Sequence, residues 1–502
     1  MLRLALKTQI LKIFHAQNAP FKILILDERT KEILSPLFKV SDLREAGICN
    51  HFLITDSRTS AKKIPAIYYV KDFKLITEDV CRILYSSYFI NSTVQIGRAD
   101  LQNLAVKMSR KQQANRILAV NDTFTDFIPL FDDFFSFNLP NSLLNEYNRE
   151  TVTSLFSLFV TINENPFIVG NPLSFNICSQ ILKMLDNKIK TTKIIKNTIK
   201  RPLLILLERE IDFITPLMHT MGFLELINDV FNIDLNKVDV DGMKINLDAD
   251  SDFLKRERFH DFPTVVDQVE KDVLAYKKEI AARNINESSE ISKMLENAPD
   301  LQRKNEIVNN LLNISVKAVS EVKERKLDEF YSMERNFNQD ELMELTDNGT
   351  ENDIIRLCAS MVGSKNADLI PAILSKRKIN SKILDYIKQF STSENTLKSR
   401  FTSTMKNILF KKSIPIVNCV EDVLSKIRND NINQFYETSS SSGSLYLNEI
   451  SQVVVFIDGG ACYTELKYLK ELEAKYKIPF ILGGTENLNA DKFIRQIKKA
   501  IE

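Results

Sequence analysis

The stretch RPLLILLEREID, residues 201–212, begins as a strand and ends in charge. Five apolar residues at 203–207 have the length and branching of a strand buried on both faces, as in a parallel sheet packed between helices. Such a strand needs neighbours. One is PFIV at 166–169, which reaches it across a basic linker at 188–200. The next comparable runs, VVVFI at 453–457 and FIL at 480–482, lie near the far end of the chain with a helical pattern between them. The economical reading is one discontinuous α/β domain, closed by the last segment of the chain and interrupted by a long insertion. A chain of 502 residues gives a prior of roughly three domains.

The insertion, residues 223–433, reads as mostly helical. Val266, Val269 and Val273 recur at helical spacing, and Ile307, Leu311, Ile314, Ala318 and Val322 form a longer stripe with Lys and Glu on the other faces. Pro299, in ENAPD, predicts a turn or hinge between the two helices. SSSSGS at 439–444 predicts a flexible surface loop leading into the last part of the sheet. Upstream, a helical stripe of Leu6, Ile10, Ile13 and Phe14 precedes FKILIL at 21–26, and short apolar runs then alternate with helical pieces up to residues 121–127. That alternation predicts another parallel sheet covered on both faces. The expected divisions are residues 1–123, 124–222 plus 434–502, and 223–433.

Composition excludes several classes of function. Lys and Arg number 67 against 66 Asp and Glu, so no bulk charge draws the chain to nucleic acid or to an anionic membrane. The cysteines, Cys49, Cys81, Cys178, Cys358, Cys419 and Cys462, are scattered without the close pairs of zinc sites or small disulfide scaffolds, and read as reduced thiols of a cytosolic protein. Lys7 and Lys12 interrupt the apolar N-terminus, which does not read as a signal peptide, and no later run has the ~18 apolar residues of a membrane span.

Motifs for catalysis are weak. Gly459-Gly460 and Gly483-Gly484 each read as a turn after a strand, where a doubly wound fold can take phosphate, but neither completes a dinucleotide or P-loop fingerprint. Asp458 precedes the first pair without a second carboxylate at motif spacing to share a magnesium ion. His15, His51, His219 and His260 form no HExxH or Cys/His cluster, and no GxSxG elbow supplies a nucleophile. His219 reads as a satisfied, partly buried side chain and not as a base. RFTSTMKNILFKK, residues 400–412, is a basic amphipathic segment that suits either an anionic membrane surface or packing within its domain. No metal and no cofactor is expected.

Taken in order, the segments resemble a known family. KILILDERTKEILSPLFKVSDLREAGICNHFLI at 22–54, IPAIYYV at 64–70 and YFINST at 88–93 resemble the first domain of the Sly-type branch of the Sec/Munc (SM) family of SNARE regulators. RPLLILLEREIDFITPLMHT at 201–220 resembles the strand opening of its second domain, and VVVFIDGGACYTELKYLKEL at 453–472 with ILGGTENLNADKFIRQI at 481–497 resembles its closing segment. The resemblance implies a three-domain arch: two parallel-sheet α/β domains with a mainly helical domain inserted in the second, around a cleft, without catalysis.

It also implies partners. The family's first domain holds the N-terminal peptide of a syntaxin-type SNARE, and the matching segment here is residues 99–127. Its apolar stripes are Leu101, Leu104 and Ala105, then Ile117, Val120 and Phe124, with Arg116 as a polar flank; plain helix packing is an equal reading for these residues. In the helical domain, Phe262, Pro263, Pro299, Leu311 and Ile314 occupy the place of a hairpin that templates assembling SNARE helices, unless the domain's own core consumes the stripe. The expected function is promotion of SNARE complex assembly in ER–Golgi transport, by a cytoplasmic protein peripherally attached to those membranes. Membership of a larger tethering complex stays open. Weak membrane contact is expected, because the family's long insertion is short here between Thr392 and Pro415. The alternatives are a nucleotide- or phosphate-binding enzyme using Gly459 or Gly483, and an SM protein of the vacuolar or exocytic branch.

Overall fold

The computed structural model describes residues 2–16, 19–170, 177–283, 291–392, 414–430, 432–434, 436–439 and 445–502. Strands β1 (Lys22–Leu26), β2 (Ile48–Leu53), β3 (Ala66–Val70), β4 (Tyr88–Ser92) and β5 (Ile117–Asp122) form a five-stranded sheet in the order β2-β1-β3-β4-β5. Every neighbouring pair in it is parallel. Its centre is the apolar run AIYYV of β3, buried at every position because helices cover both faces. Asp27 ends β1 and caps the helix Glu28–Leu34 by accepting from Thr30 N–H; its other oxygen accepts from the N–H groups of Lys71 and Asp72, at 2.6 and 3.0 Å. One carboxylate thus satisfies donors at the ends of two adjacent strands.

A seven-stranded sheet contains β6 (Ile128–Phe131), β7 (Phe134–Ser136), β8 (Phe167–Gly170), β9 (Arg201–Glu208), β12 (Glu437–Thr438), β13 (Ile450–Asp458) and β14 (Phe480–Gly484), ordered β12-β8-β9-β13-β14-β7-β6. The pairing of β13 with β9, Val453 to Leu203 through Asp458 to Glu208, joins the middle of the chain to its end. That is the discontinuous sheet anticipated from residues 201–212. A separate antiparallel pair, β10 (Lys237–Val240) and β11 (Met243–Asn246), lies in the insertion.

The chain falls into two compact units. The first comprises 1–208, 422–459 and 476–486 and contains both large sheets; the second comprises 209–421, 460–475 and 487–502. The two sheets share one unit, and the helices Tyr463–Tyr476 and Ala490–Ile501 group with the helical insertion although their flanking strands do not. The physical reason is visible at the junction of the two sheets. Asp126, wholly buried between β5 and β6, takes Arg29 Nε at 2.7 Å and Lys71 Nζ at 2.8 Å, while Arg29 Nη1 donates to Phe137 O at 2.7 Å. Arg3, from the N-terminal helix, donates to the carbonyls of Pro129 and Leu130. Burial alone favours neutral Asp126, but the charges of Arg29 and Lys71 win and hold it below the usual carboxylate range.

The glycine pairs play structural parts. Gly459 and Gly460 have φ of +93° and +98°, and the Gly459 N–H is taken by Thr485 Oγ1 at 3.0 Å. Gly483 and Gly484 are the last two residues of β14 and not a turn after it, which corrects the sequence reading. A Cβ on Gly483 would lie 2.0 Å from the Phe135 ring, so the glycine is there to let β14 pack against that ring.

Candidate functional site

The helix Arg98–Arg110 carries Asp100 in its first turn and Lys107 and Arg110 in its last, each favourable to the helix dipole. Its inner face is Leu104 and Met108, buried in one cluster with Tyr68, Val80, Tyr88 and Ile90. Its outer face shows Leu101, 39% exposed, together with exposed Ala105 and Val106. The turn Ala114–Arg116 then leads into β5, and Arg116 Nη1 fixes it by donating to Tyr85 O at 2.7 Å.

Strand β5 is an edge of the five-stranded sheet, paired only with β4. Its register shifts: Ile117 lies opposite Tyr88 and Ala119 opposite Phe89, so Leu118 is the extra residue of a bulge. One extra residue reverses the alternation. Ile117 and Val120 therefore both face the cluster that holds Leu104, whereas Leu118 is left 58% exposed. A bulged edge also protects the unpaired backbone of β5 from indiscriminate strand addition. Beneath, Tyr68 donates to Asp79 at 2.7 Å and Arg58 pairs with the same carboxylate. Burial, and Asp79 beside it, push the Tyr68 phenol well above its ordinary range, so it stays a neutral donor.

Of the seven residues anticipated here, Leu101 and Ala105 are at the surface, and Ile117 and Val120 are half-buried against the cluster that holds Leu104. Leu104, 3% exposed, is part of the core beneath. Arg116 is half-buried and committed to Tyr85. Phe124 is buried with φ +49°, and its ring meets Phe156 edge-on at 5.2 Å. Leu118 and Val106 are exposed as well, and the sequence pattern does not single them out. The bulge that exposes Leu118 has no signature in ILAVND, so only the strand pairing could have found it.

The second candidate is the hairpin of the helices Phe262–Arg283 and Ile291–Arg325. Pro299 does not mark its turn. It lies within the second helix, because the stripe downstream carries the helix through a lost backbone hydrogen bond. Leu311 and Ile314 are buried, as is Ala318, so this stripe belongs to the unit's own core and does not present a docking surface. Phe262 is also buried, stacked on Phe223 with centroids 6.2 Å apart, while Pro263 is exposed. Among the residues whose side chains are described, the large apolar ones that these helices leave exposed are Leu274 and Val316, the latter 63% exposed. The segment 400–412 and most of the serine-rich loop lie outside the described residues.

Charge anchors the base of the hairpin. Arg325, at the end of the long helix, grips Asp353 with two hydrogen bonds of 2.6 and 3.1 Å. His219 lies between Glu334, 2.6 Å from Nδ1, and Asp353, 3.4 Å from Nε2, with Phe330 stacked on its ring. Burial disfavours charge on Asp353, yet hydrogen bonds from His219 and Arg325 and the charges of Arg325 and Arg356 hold it far below the usual carboxylate range. Both nitrogens of His219 are thus spent on structure, as the sequence reading expected of this histidine.

The enzyme alternative has little to draw on. Asp458 sits with Glu208 and Glu146, and burial together with those two carboxylates pushes it up to about 7. No cluster of three metal-ligating side chains occurs among the described residues. The turn at Gly459 already gives its N–H to Thr485.

Residues 22–496 match the Sec1 family. The chain is 38% identical to the SEC1 family transport protein SLY1 of Encephalitozoon cuniculi, over 99% of both chains. It is 24% identical to Sec1 family domain-containing protein 1 of Homo sapiens, over 95% of this chain and 93% of that one. Among solved structures, Sly1p in complex with an N-terminal peptide of Sed5p superposes with a TM-score of 0.83 at 23% identity, covering 100% of this chain and 98% of that one. The SM protein Vps45 in complex with the Qa SNARE Tlg2 gives 0.84 at 15% identity, over 99% and 98%. The fold is therefore the one these proteins share.

Proposed function

The chain belongs to the Sec1 family, and on that premise we propose that it is an SM protein that binds a syntaxin and promotes SNARE complex assembly in ER–Golgi transport. The observations that carry this reading are Leu101 and Ala105, exposed on the outer face of the helix Arg98–Arg110, and Leu118, exposed by the bulge on the edge strand that follows it. A short peptide needs one apolar anchor in a shallow depression and an ordered rim, and gains little from flat polar surface. Similarity to a protein solved with an N-terminal peptide supports this choice of occupant. The protein works by binding, with no turnover of a substrate. No helix among the described residues is long and apolar enough to cross a membrane, which fits peripheral attachment to ER and Golgi membranes.

A second part of the proposal concerns the helical unit. SNARE helices present heptad stripes, and the outward Leu274, Val316 and Pro263 of the hairpin are the residues that meet them, in place of the buried Leu311 and Ile314.

Calorimetry with a synthetic syntaxin N-terminal peptide tests the first part. The wild-type chain binds; Leu101→Asp with Leu118→Asp weakens binding at least ~10-fold, about 1.4 kcal/mol, while the thermal midpoint stays put. Unchanged affinity in a folded double variant would place the peptide elsewhere.

A further inference from the structure

The basic linker at 188–201 has no part in either proposed site. From Asn187 to Leu207 the chain has no acidic residue, yet it carries Lys188, Lys190, Lys193, Lys196, Lys200 and Arg201. Lys190 pairs with Asp186, and Lys188 lies over the Phe156 ring at 5.0 Å. Lys193, Lys196 and Lys200 are exposed and make no ion pair among the described residues. Between them Ile195 is buried as an anchor, whereas Ile194 is exposed and Ile199 is 92% exposed.

This is a built loop. Asn165 N–H donates to Lys196 O at 3.0 Å, Asn165 Nδ2 donates to Asn197 Oδ1 at 2.8 Å, and Arg201 donates to the carbonyls of Asn165 and Pro166 at 3.0 and 2.8 Å. Ile199 is therefore held outward on a fixed frame. The loop stands at the N-terminal ends of the parallel strands of the seven-stranded sheet. Arg201 opposes Ile450 there, which places the exposed Tyr446 on the neighbouring turn, and Val453 N–H bonds Pro479 O, which places exposed Lys477 on the next. The acids on the rim are committed: Glu164 accepts from Ser451 Oγ, and Glu449 accepts from Tyr446 N–H.

We propose that this rim docks on an anionic lipid surface, with Ile194, Ile199 and Tyr446 entering the headgroup layer and Lys193, Lys196, Lys200 and Lys477 facing acidic headgroups. Alternation of lysines with exposed aliphatic and aromatic tips matches the two components of interfacial binding, buried apolar area and attraction to anionic lipid. An acidic protein partner explains the lysines but leaves a fully exposed isoleucine at the tip without a role.

Flotation of the full chain with phosphatidylcholine vesicles, with and without phosphatidylserine, tests it at low and physiological salt. The wild-type chain floats only with the anionic vesicles, less so at higher salt. Lys193→Glu/Lys196→Glu/Lys200→Glu lowers the bound fraction at least ~10-fold, and Ile199→Asp removes the part that survives physiological salt. Both variants keep the wild-type thermal midpoint and peptide affinity. Lys406→Glu/Lys411→Glu/Lys412→Glu floats like wild type. Flotation unchanged in the 193/196/200 variant, or lost in the 406/411/412 variant alone, overturns the proposal. So does a wild-type chain that ignores both vesicle types yet is retained on polyglutamate beads, which assigns the rim to an acidic protein surface.

Discussion

The helix Arg98–Arg110 and the helix Ile291–Arg325 both carry apolar stripes on otherwise polar helices, and the structure treats them oppositely. The first lies along a sheet edge, so Leu104 and Met108 face the core while Leu101 and Ala105 stay outside. The second packs against the helix Phe223–Phe231 and β10, and its stripe of Leu311, Ile314 and Ala318 is consumed. Helical periodicity marks which face is apolar. It does not state how much partner surface the fold supplies to that face. The first helix packs on the helix Phe73–Arg82 and leaves half of its stripe outside, whereas the helices Phe262–Arg283 and Phe223–Phe231 together with β10 cover the buried stripe of the second.

The contrast can be broken most directly at Ile314. Ile314→Asp buries an unpaired carboxylate in the helical unit and should cost about 4 kcal/mol or more, read as a collapse of the denaturation midpoint with loss of every binding activity. A folded Ile314→Asp variant that had lost only SNARE assembly would return the stripe to the surface. Leu104→Arg comes next. Its side chain is interior, so it should lose roughly 3 kcal/mol of stability along with peptide affinity, where a purely superficial Leu104 loses affinity alone.

Glu225 sharpens the comparison through pH. It lies in the first turn of the helix under the hairpin, with Lys467 Nζ 3.8 Å away, and burial, only partly countered by Lys467, pushes it up to about 7. Between its ordinary value of 4.5 and about 7 the folded state binds more protons than the unfolded one. Stability therefore falls as pH rises through that window, by roughly 3 kcal/mol in total, and the contribution is gone above it. Glu225→Gln should flatten the slope and stabilise the protein at pH 8, as measured by denaturant unfolding across pH. Equal slopes in the two proteins would mean that Glu225 is solvated and the base of the hairpin is open. The smallest effect on stability belongs to Leu101→Asp, within ~0.5 kcal/mol of wild type because the residue is already wet, while peptide affinity falls. A large loss of stability there would make the edge helix as consumed as the long one.

Much of the architecture could be read before any coordinates. Continuous apolar runs such as AIYYV and VVVFI leave few choices but interior parallel strands, and the unpaired strand at 203–207 had to find partners in the C-terminal segment. The helical insertion followed from its stripes. Pro299 misled because a proline is a cost and not a stop: a long helix with a packed stripe absorbs one missing hydrogen bond. Gly483 misled because a glycine in a strand and a glycine in a turn look alike until the Phe135 ring is in place.

The candidate site was legible only in outline. Residues 99–127 drew attention through their stripes and their resemblance, and Leu101 and Ala105 do stand at the surface. Phe124 spaced correctly from Val120 but turned inward through a left-handed residue conformation, and Leu118 came outward through a bulge. The second is decided by the register of β5 on β4.

What the sequence by itself determined is therefore the set of elements, their apolar faces and the long-range closure of the seven-stranded sheet, because local periodicity and run length encode burial directly. Tertiary structure alone decided which apolar faces remain available to a partner. That depends on the register of one edge strand, on whether Arg325 finds Asp353, and on how Asp126 gathers Arg29 and Lys71, pairings between residues far apart in the chain that no local pattern contains.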